Sequence, residues 1–406
     1  MKLITTTALA LVAALTAAPA AAQAPKAAPA AQEVKITPSK GATKALVELQ
    51  DAVQKNDVAN IPAKLAAAQA VATTKEDRYL IGKFQLMAAI AKKDDASTAA
   101  AIDAMVASGV LDASKSSALY LGMGGTYYNA KQYALAATAY QKALQFDPNN
   151  TEAPALLGES LFAQGQKAQA AAAFQRAIQS RVAAGQKPDE PLMKRAVAVA
   201  YDAQSPAAVE LARQWVSSYP TASSWGDAIA IYNNLSRPDV EGMLDLYRLM
   251  QLTGSLNTGG EYAQYARAAA EQNNFNEAQA AFDAGVNAKV IDPKGAEYND
   301  LVAGLKVKAK ATAADLEVAS KAATTGIALV HIGDRYAAMG DYTKAVALYR
   351  DALKKPGTDA AIANLHIGMA LARSGDKAGA TAALNAVTGS RADIAKFWLT
   401  YLNLKG

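Results

Sequence analysis

Residues 117–150 read SALYLGMGGTYYNAKQYALAATAYQKALQFDPNN, and the spacing of seven of them organises the reading of the whole chain. Tyr120, Gly124, Tyr127, Ala136, Tyr140, Ala143 and Pro148 alternate bulky and small side chains at helical intervals. Small residues such as Gly124 and Ala136 let two helix axes approach closely. Large ones such as Tyr127 and Tyr140 are expected to fill the gap to the next pair. Pro148 stops the second helix, and Asp147-Pro148-Asn149-Asn150 is favourable turn chemistry. The order returns in 151–180, TEAPALLGESLFAQGQKAQAAAAFQRAIQS, where Leu157, Gly158, Leu161, Gly165, Ala170, Phe174 and Ala177 keep the register and Val182 replaces the proline. Towards the C-terminus, 327–356 supplies Ile332, Gly333, Tyr336, Gly340, Ala345, Tyr349, Ala352 and Pro356. Another copy follows with Gly368, Leu371, Gly375, Ala380 and Leu384.

The pattern resembles the tetratricopeptide repeat, a helical hairpin of about 34 residues. The resemblance implies an all-α, right-handed superhelical solenoid whose first helices line a concave groove. Between the two tandem pairs the match decays while the helical period persists. Residues 259–285 keep Tyr262, Tyr265, Ala278 and Phe282, and 190–219 and 222–253 each read as two helices. The stretches 42–56, 62–72, 75–93 and 95–108 read as two looser hairpins. No alternating apolar and polar run argues for strand. Roughly ten hairpins of about 35–40 residues account for the chain, and such arrays contact mainly nearest neighbours, so stability is expected to be nearly additive.

The predicted organisation is a signal peptide at 1–22, a flexible Pro/Ala-rich linker at 23–39, and degenerate hairpins at 40–110. A tandem repeat pair at 111–182 and degenerate hairpins at 183–292 follow. A joint at 293–325 leads to a C-terminal pair with a capping helix at 326–406. The leader rests on Lys2, the apolar stretch Leu3 to Leu15 and the A-x-A site Ala20-Ala21-Ala22 before Gln23. The stretch is short of the ~20 residues a bilayer span needs, and Pro19 ends it. The expected product is exported, periplasmic in a two-membrane bacterium, and free of membrane insertion after cleavage near Ala22.

Composition narrows the function classes. The 406 residues are 51% hydrophobic and about a quarter alanine, with no cysteine and two histidines. Disulfides, thiol nucleophiles and cysteine-ligated metals are excluded, and no metal or cofactor is expected. Net charge is +5 with an isoelectric point near 9.0, but basic residues are spread singly. The densest run, Lys306, Lys308 and Lys310, is too small to argue for nucleic acid. There is no phosphate loop, dinucleotide fingerprint or Ser-His-Asp set. GESLF at 158–162 and RLMQLTG at 248–254 are similar to fragments of lytic transglycosylase motifs. Glu159, however, falls inside a repeat, and no non-repeat domain remains to hold both fragments.

The groove supplies the candidate binding residues. In repeats that clamp a terminal carboxylate, basic and amide side chains occupy the second, fifth, sixth and ninth places of first helices. Here those places hold Ala118, Leu121, Gly122 and Gly125, then Glu152, Ala155, Leu156 and Glu159. In the C-terminal pair they hold Ile327, Val330, His331 and Asp334, then Ile362, Leu365, His366 and Met369. This departs from the clamp and suits a helix or extended peptide held by side-chain contacts. Tyr128, Asn129 and Phe162 lie one turn further along. His331, Asp334 and His366, with Arg373 beyond, form a C-terminal candidate spot for pH response or anion binding. Partly exposed polar residues on a helix surface are the plainer reading of it. The leading expectation is a non-enzymatic periplasmic scaffold that binds protein or peptide segments in envelope assembly. The alternatives are a peptidoglycan-active, transglycosylase-like enzyme and a glycan- or ligand-binding export accessory protein.

Overall fold

The computed structural model describes residues 36–308 and 310–405. The expected leader, and the linker up to residue 35, lie outside the described residues. The chain divides into two compact units, one ending at Ser205 and one beginning at Pro206. The described residues hold α-helices and short 3₁₀ turns, and no strand.

Unit 1 contains α1 (Thr43–Gln54), α2 (Ile61–Val71), α3 (Lys75–Lys92), α4 (Asp95–Ala107), α5 (Ala113–Asn129), α6 (Tyr133–Phe146), α7 (Ala153–Ala163), α8 (Lys167–Ala183) and α9 (Glu190–Asp202). Each helix packs on the next in sequence. Local chemistry sets the boundaries. The carboxylates of Asp112 and Asp189 accept the amides of Lys115 and Leu192, and Thr74 with Asp77 forms a capping box. Such caps satisfy amides that a helix start leaves unpaired. Gly165 makes the turn between α7 and α8 at φ 76°, in the left-handed region that glycine enters without steric cost.

The end of the expected linker is anchored at two residues. Ile36 is buried, and the Ser39 amide and hydroxyl each donate to Asp77 at 2.8 Å. Burial opposes the Asp77 charge, but the amides of Ser39, Thr74 and Thr73 overcome it and hold the carboxyl at about 2.

The recurring glycines fix the hairpin crossings. Gly82 meets Met105, Gly124 meets Tyr140, and Gly158 meets Phe174, each from the second helix of its own hairpin. Tyr140 therefore fills its own hairpin crossing, not the gap to the next pair. A Cβ on Gly158 would come within 2.9 Å of the Phe174 ring. The following residue in each helix, Lys83, Gly125 or Glu159, shares one register position.

Unit 2 contains α10 (Ala207–Ser218), α11 (Ala222–Ser236), α12 (Val240–Thr253), α13 (Gly259–Glu271), α14 (Phe275–Asn287), α15 (Asn299–Val307), α16 (Ala313–Ala322), α17 (Gly326–Ala338), α18 (Tyr342–Ala352), α19 (Ala360–Ser374), α20 (Lys377–Asn385) and α21 (Ala392–Leu404). The crossing register returns, with Gly333 under Tyr349 and Gly368 under Leu384. The expected joint holds α15 and α16, which bury little beyond Leu301, Leu305 and Leu316.

Unit 2 closes on itself. The last helix, α21, packs against α10 and α12 as well as α19. Its Phe397 ring lies 5.8 Å from Tyr232 and 6.5 Å from Trp225, both on α11. Arg391, just before α21, bonds Asp239 across 152 positions at 2.9 Å. The nearest-neighbour expectation therefore fails in this unit: its two ends are in contact, and residues far apart in sequence share one core. Within each unit, hairpin packs on hairpin, and the fold class is the all-α solenoid expected from the repeats.

Candidate functional site

The closure of unit 2 brings α12, α14, α17, α18 and α19 around a buried charged cluster. Arg248 on α12 sits at its centre. Its guanidinium donates from Nε and Nη2 to Glu277 on α14, and from Nη1 to Asp245, all at 2.8 Å. Tyr265 donates to Glu277 at 2.9 Å, and Asn274 adds a bond at 2.8 Å. Tyr349 donates to Asp334 at 2.6 Å. His366 on α19 lies between two acids, with Nε2 3.1 Å from Asp245 and Nδ1 2.8 Å from Asp334. The Nδ1 contact is close but misaligned, so it acts as an ion pair and leaves that N–H without an acceptor along its axis.

Charges this deep persist only when paired. Burial opposes the Arg248 charge, but Glu277, then Asp334 and Asp245, outweigh it and hold its proton well above the ordinary value. Burial likewise opposes a charged His366, and the carboxylates of Asp334 and Asp245 more than offset it, raising the imidazole to about 10. Asp334 is pushed up by burial but pulled well below the usual carboxylate range by His366 and Arg248. Burial, and secondarily the Asp334 charge, push the Tyr349 hydroxyl far upward. Arg248, Asp334 and His366 thus hold one another in their charged forms within the hydrogen-bonded cluster.

A cavity of about 20 Å³ adjoins the cluster, room for one water-sized molecule. Asp334, His366, Met369 and Arg373 line it together with Arg248, Glu277 and Tyr349. Four of the sequence candidates are therefore brought together. His331 is not: it stays half-buried and outside the cavity lining. His366 is 1% exposed, which corrects the reading of two partly exposed surface histidines. Arg373 lies over the Tyr342 ring at 5.1 Å. Sequence reasoning missed Asp245, Arg248 and Glu277. Their signal was a pair of opposite charges three residues apart inside the apolar run 242–250, a place where charge implies a buried partner.

Unit 1 arranges its candidates differently. Glu159 on α7 accepts from Arg195 on α9 at 2.8 and 2.7 Å. The pair is one-third exposed, and the guanidinium lies 4.4 Å above the Phe162 ring. Both Glu159 oxygens are engaged by the Arg195 guanidinium. Tyr128 packs edge-on against Tyr133 at 5.3 Å. Burial first, and then the Glu159 charge, raise the Tyr128 hydroxyl. Asn129 is exposed at the end of α5. Tyr128, Glu159, Phe162 and Arg195 thus form a half-exposed band across three consecutive first helices.

Residues 127–199 and 332–394 each match a family model described as tetratricopeptide repeat. Over these two tracts the chain is similar to tetratricopeptide-repeat proteins. The first carries the unit 1 band, and the second carries Asp334, His366, Met369 and Arg373. No curated protein matches the chain. Among solved structures, the chain resembles one in a complex titled Naa15/Naa10 bound to HypK-THB, at 12% identity and TM-score 0.37. The alignment covers 90% of this chain and 65% of that one, so the chain spans less than two thirds of its length. A tetratricopeptide repeat protein from Parabacteroides merdae matches at 10% identity and TM-score 0.27, covering 82% of this chain and 100% of that one. PilF of Pseudomonas aeruginosa matches at 13% identity and TM-score 0.24, covering 65% and 97%. No described helix is long and apolar enough to cross a membrane.

Proposed function

We propose that the chain is a non-enzymatic scaffold that holds protein segments on the first-helix face of unit 1. One observation carries this reading. The band of Tyr128, Glu159, Phe162 and Arg195 is ordered by its own contacts yet half-exposed, whereas the matching face of unit 2 is consumed by internal pairing. Aromatic and arginine side chains with restrained rotamers lose little entropy on binding, which is why such groups concentrate binding energy at interfaces. The leader-like residues 1–22 support export to the periplasm, where the scaffold would serve envelope assembly.

The test is photo-crosslinking in living cells from an unnatural residue at Tyr128, with Thr138 on the exposed side of α6 as control. The expected result is a discrete protein adduct from Tyr128 that Thr138 does not give and that Arg195→Glu abolishes. Equal labelling from both positions, or none from Tyr128, contradicts the proposal. Fractionation of the same cells checks export: the processed chain belongs in the periplasmic fraction, and an unprocessed cytoplasmic chain removes that part of the reading.

A further inference from the structure

The pair of Arg195 and Glu159 spends only part of its hydrogen-bonding capacity. Arg195 donates from Nε to one Glu159 oxygen at 2.8 Å and from Nη2 to the other at 2.7 Å. A guanidinium carries about five N–H groups and a carboxylate about four acceptor positions. The rest of both inventories has no partner among the described residues. Both side chains meet solvent, Arg195 at 37% exposure and Glu159 at 33%. The pair therefore presents unused donors beside unused acceptors, with its two charges already cancelled. Its surroundings are aromatic. The Phe162 ring lies 4.4 Å from the guanidinium, and Tyr128 is near enough for the charges of Glu159 and Arg195 to act on its hydroxyl.

We propose that the exposed edge of this ion pair receives a primary carboxamide, so that unit 1 selects polypeptide segments presenting an Asn or Gln side chain. The inference rests on the reading of unit 1 as the partner-binding face and adds the partner's chemistry. A carboxamide carries an acceptor and a donor on one uncharged plane. Its carbonyl accepts from the guanidinium while its amino group donates to the carboxylate. An acidic side chain would satisfy Arg195 but bring a second negative charge beside Glu159. A basic one would satisfy Glu159 but bring a second positive charge beside Arg195. Each would also give up its hydration for a pair that has no net charge to return. Phe162 and Tyr128 offer apolar surface to the methylene stem of the bound side chain.

The experiment selects a phage-displayed random peptide library on the immobilised full chain and on its Glu159→Gln variant. Wild type is expected to enrich peptides that share an Asn or Gln. Changing that amide to its isosteric acid, or to Ala, should weaken binding to wild type about tenfold. Glu159→Gln leaves the guanidinium unopposed, so there the acid form should bind at least as well as the amide. Raising salt from about 0.1 to 1 M should weaken that acid complex and leave the wild-type amide complex within about twofold. A thermal melt checks that Glu159→Gln is folded, and the amide-to-acid comparison on wild type decides the inference without any variant. Enriched peptides that share an acid or a base instead, an acid or Ala form that binds wild type as well as the amide, or an unchanged amide preference on folded Glu159→Gln overturn the inference and leave the binding face intact. No enrichment on wild type overturns the binding face, and this inference with it.

Discussion

Glu159 in unit 1 and Asp334 in unit 2 hold the same register position, one residue after a glycine crossed by an aromatic ring, and their surroundings are opposite. Glu159 meets a single arginine at a surface one-third open to water. Asp334 lies in a buried cluster with His366, Tyr349 and Arg248. The repeat sets where a side chain points. What else folds onto that face decides whether it is offered to a partner or spent on the fold. In unit 2, α21 returns to α10 and α12, and α12 meets α14, α17 and α19 in the charged cluster.

The sharpest way to break this contrast is to remove one arginine from each face. Arg248→Met leaves Asp245, Glu277 and Asp334 buried without their guanidinium and should cost unit 2 about 3–5 kcal/mol. Arg195→Met removes a half-exposed pair and should cost under about 1 kcal/mol. Urea titration followed by circular dichroism measures both, and equal losses would erase the distinction.

The hairpin crossings should behave alike in the two units. Gly158→Ala presses a methyl against Phe174, and Gly333→Ala presses one against Tyr349. Each should destabilise by about 1–3 kcal/mol, the usual cost of overpacking. A neutral result in one unit would show that its crossing is looser than the geometry indicates.

Proton linkage separates the units next. His366 has a folded value of about 10, above its unfolded value, so its contribution is full below about pH 6.5 and is lost as pH rises towards 10. Asp334 is depressed, so its contribution is present above about pH 4 and is lost as pH falls through its folded value. Unit 2 should therefore be most stable between about pH 4 and 6.5. By calorimetry its melting temperature should fall on the order of 5 °C between pH 6 and 9.5. His366→Gln should flatten that alkaline slope, and an unchanged slope would mean that the imidazole is neutral in the fold.

The smallest effect is local. Thr74→Ala removes the cap of α3 and should cost about 1 kcal/mol in unit 1 alone, read from the same urea curves.

The helices and their pairing were legible because period, glycine register and caps are local properties. Gly124, Gly158, Gly333 and Gly368 each marked a real crossing, and the turn at Gly165 was readable for the same reason. The return of α21 was not legible. Nothing local to 392–404 states that Phe397 meets Tyr232, a contact across more than half of unit 2. The site divided along the same line. Asp334, His366, Met369 and Arg373 were found because they share the register of one repeat pair. Arg248 and Glu277 lie outside both matched tracts, so only the closure unites them with that group. Arg195 was missed for a smaller reason: it answers Glu159 from α9, where the repeat signature had already decayed.

The central claim is that unit 2 is one closed core while unit 1 is an open stack. Native-state hydrogen exchange, resolved helix by helix, tests it most directly. Here α10, α12, α19 and α21 should share a single opening free energy, and the helices of unit 1 should open in a graded series from its ends. If α21 exchanges well before α10 and α12, the ring is not closed in solution, and the inner face of unit 2 becomes as available to a partner as that of unit 1.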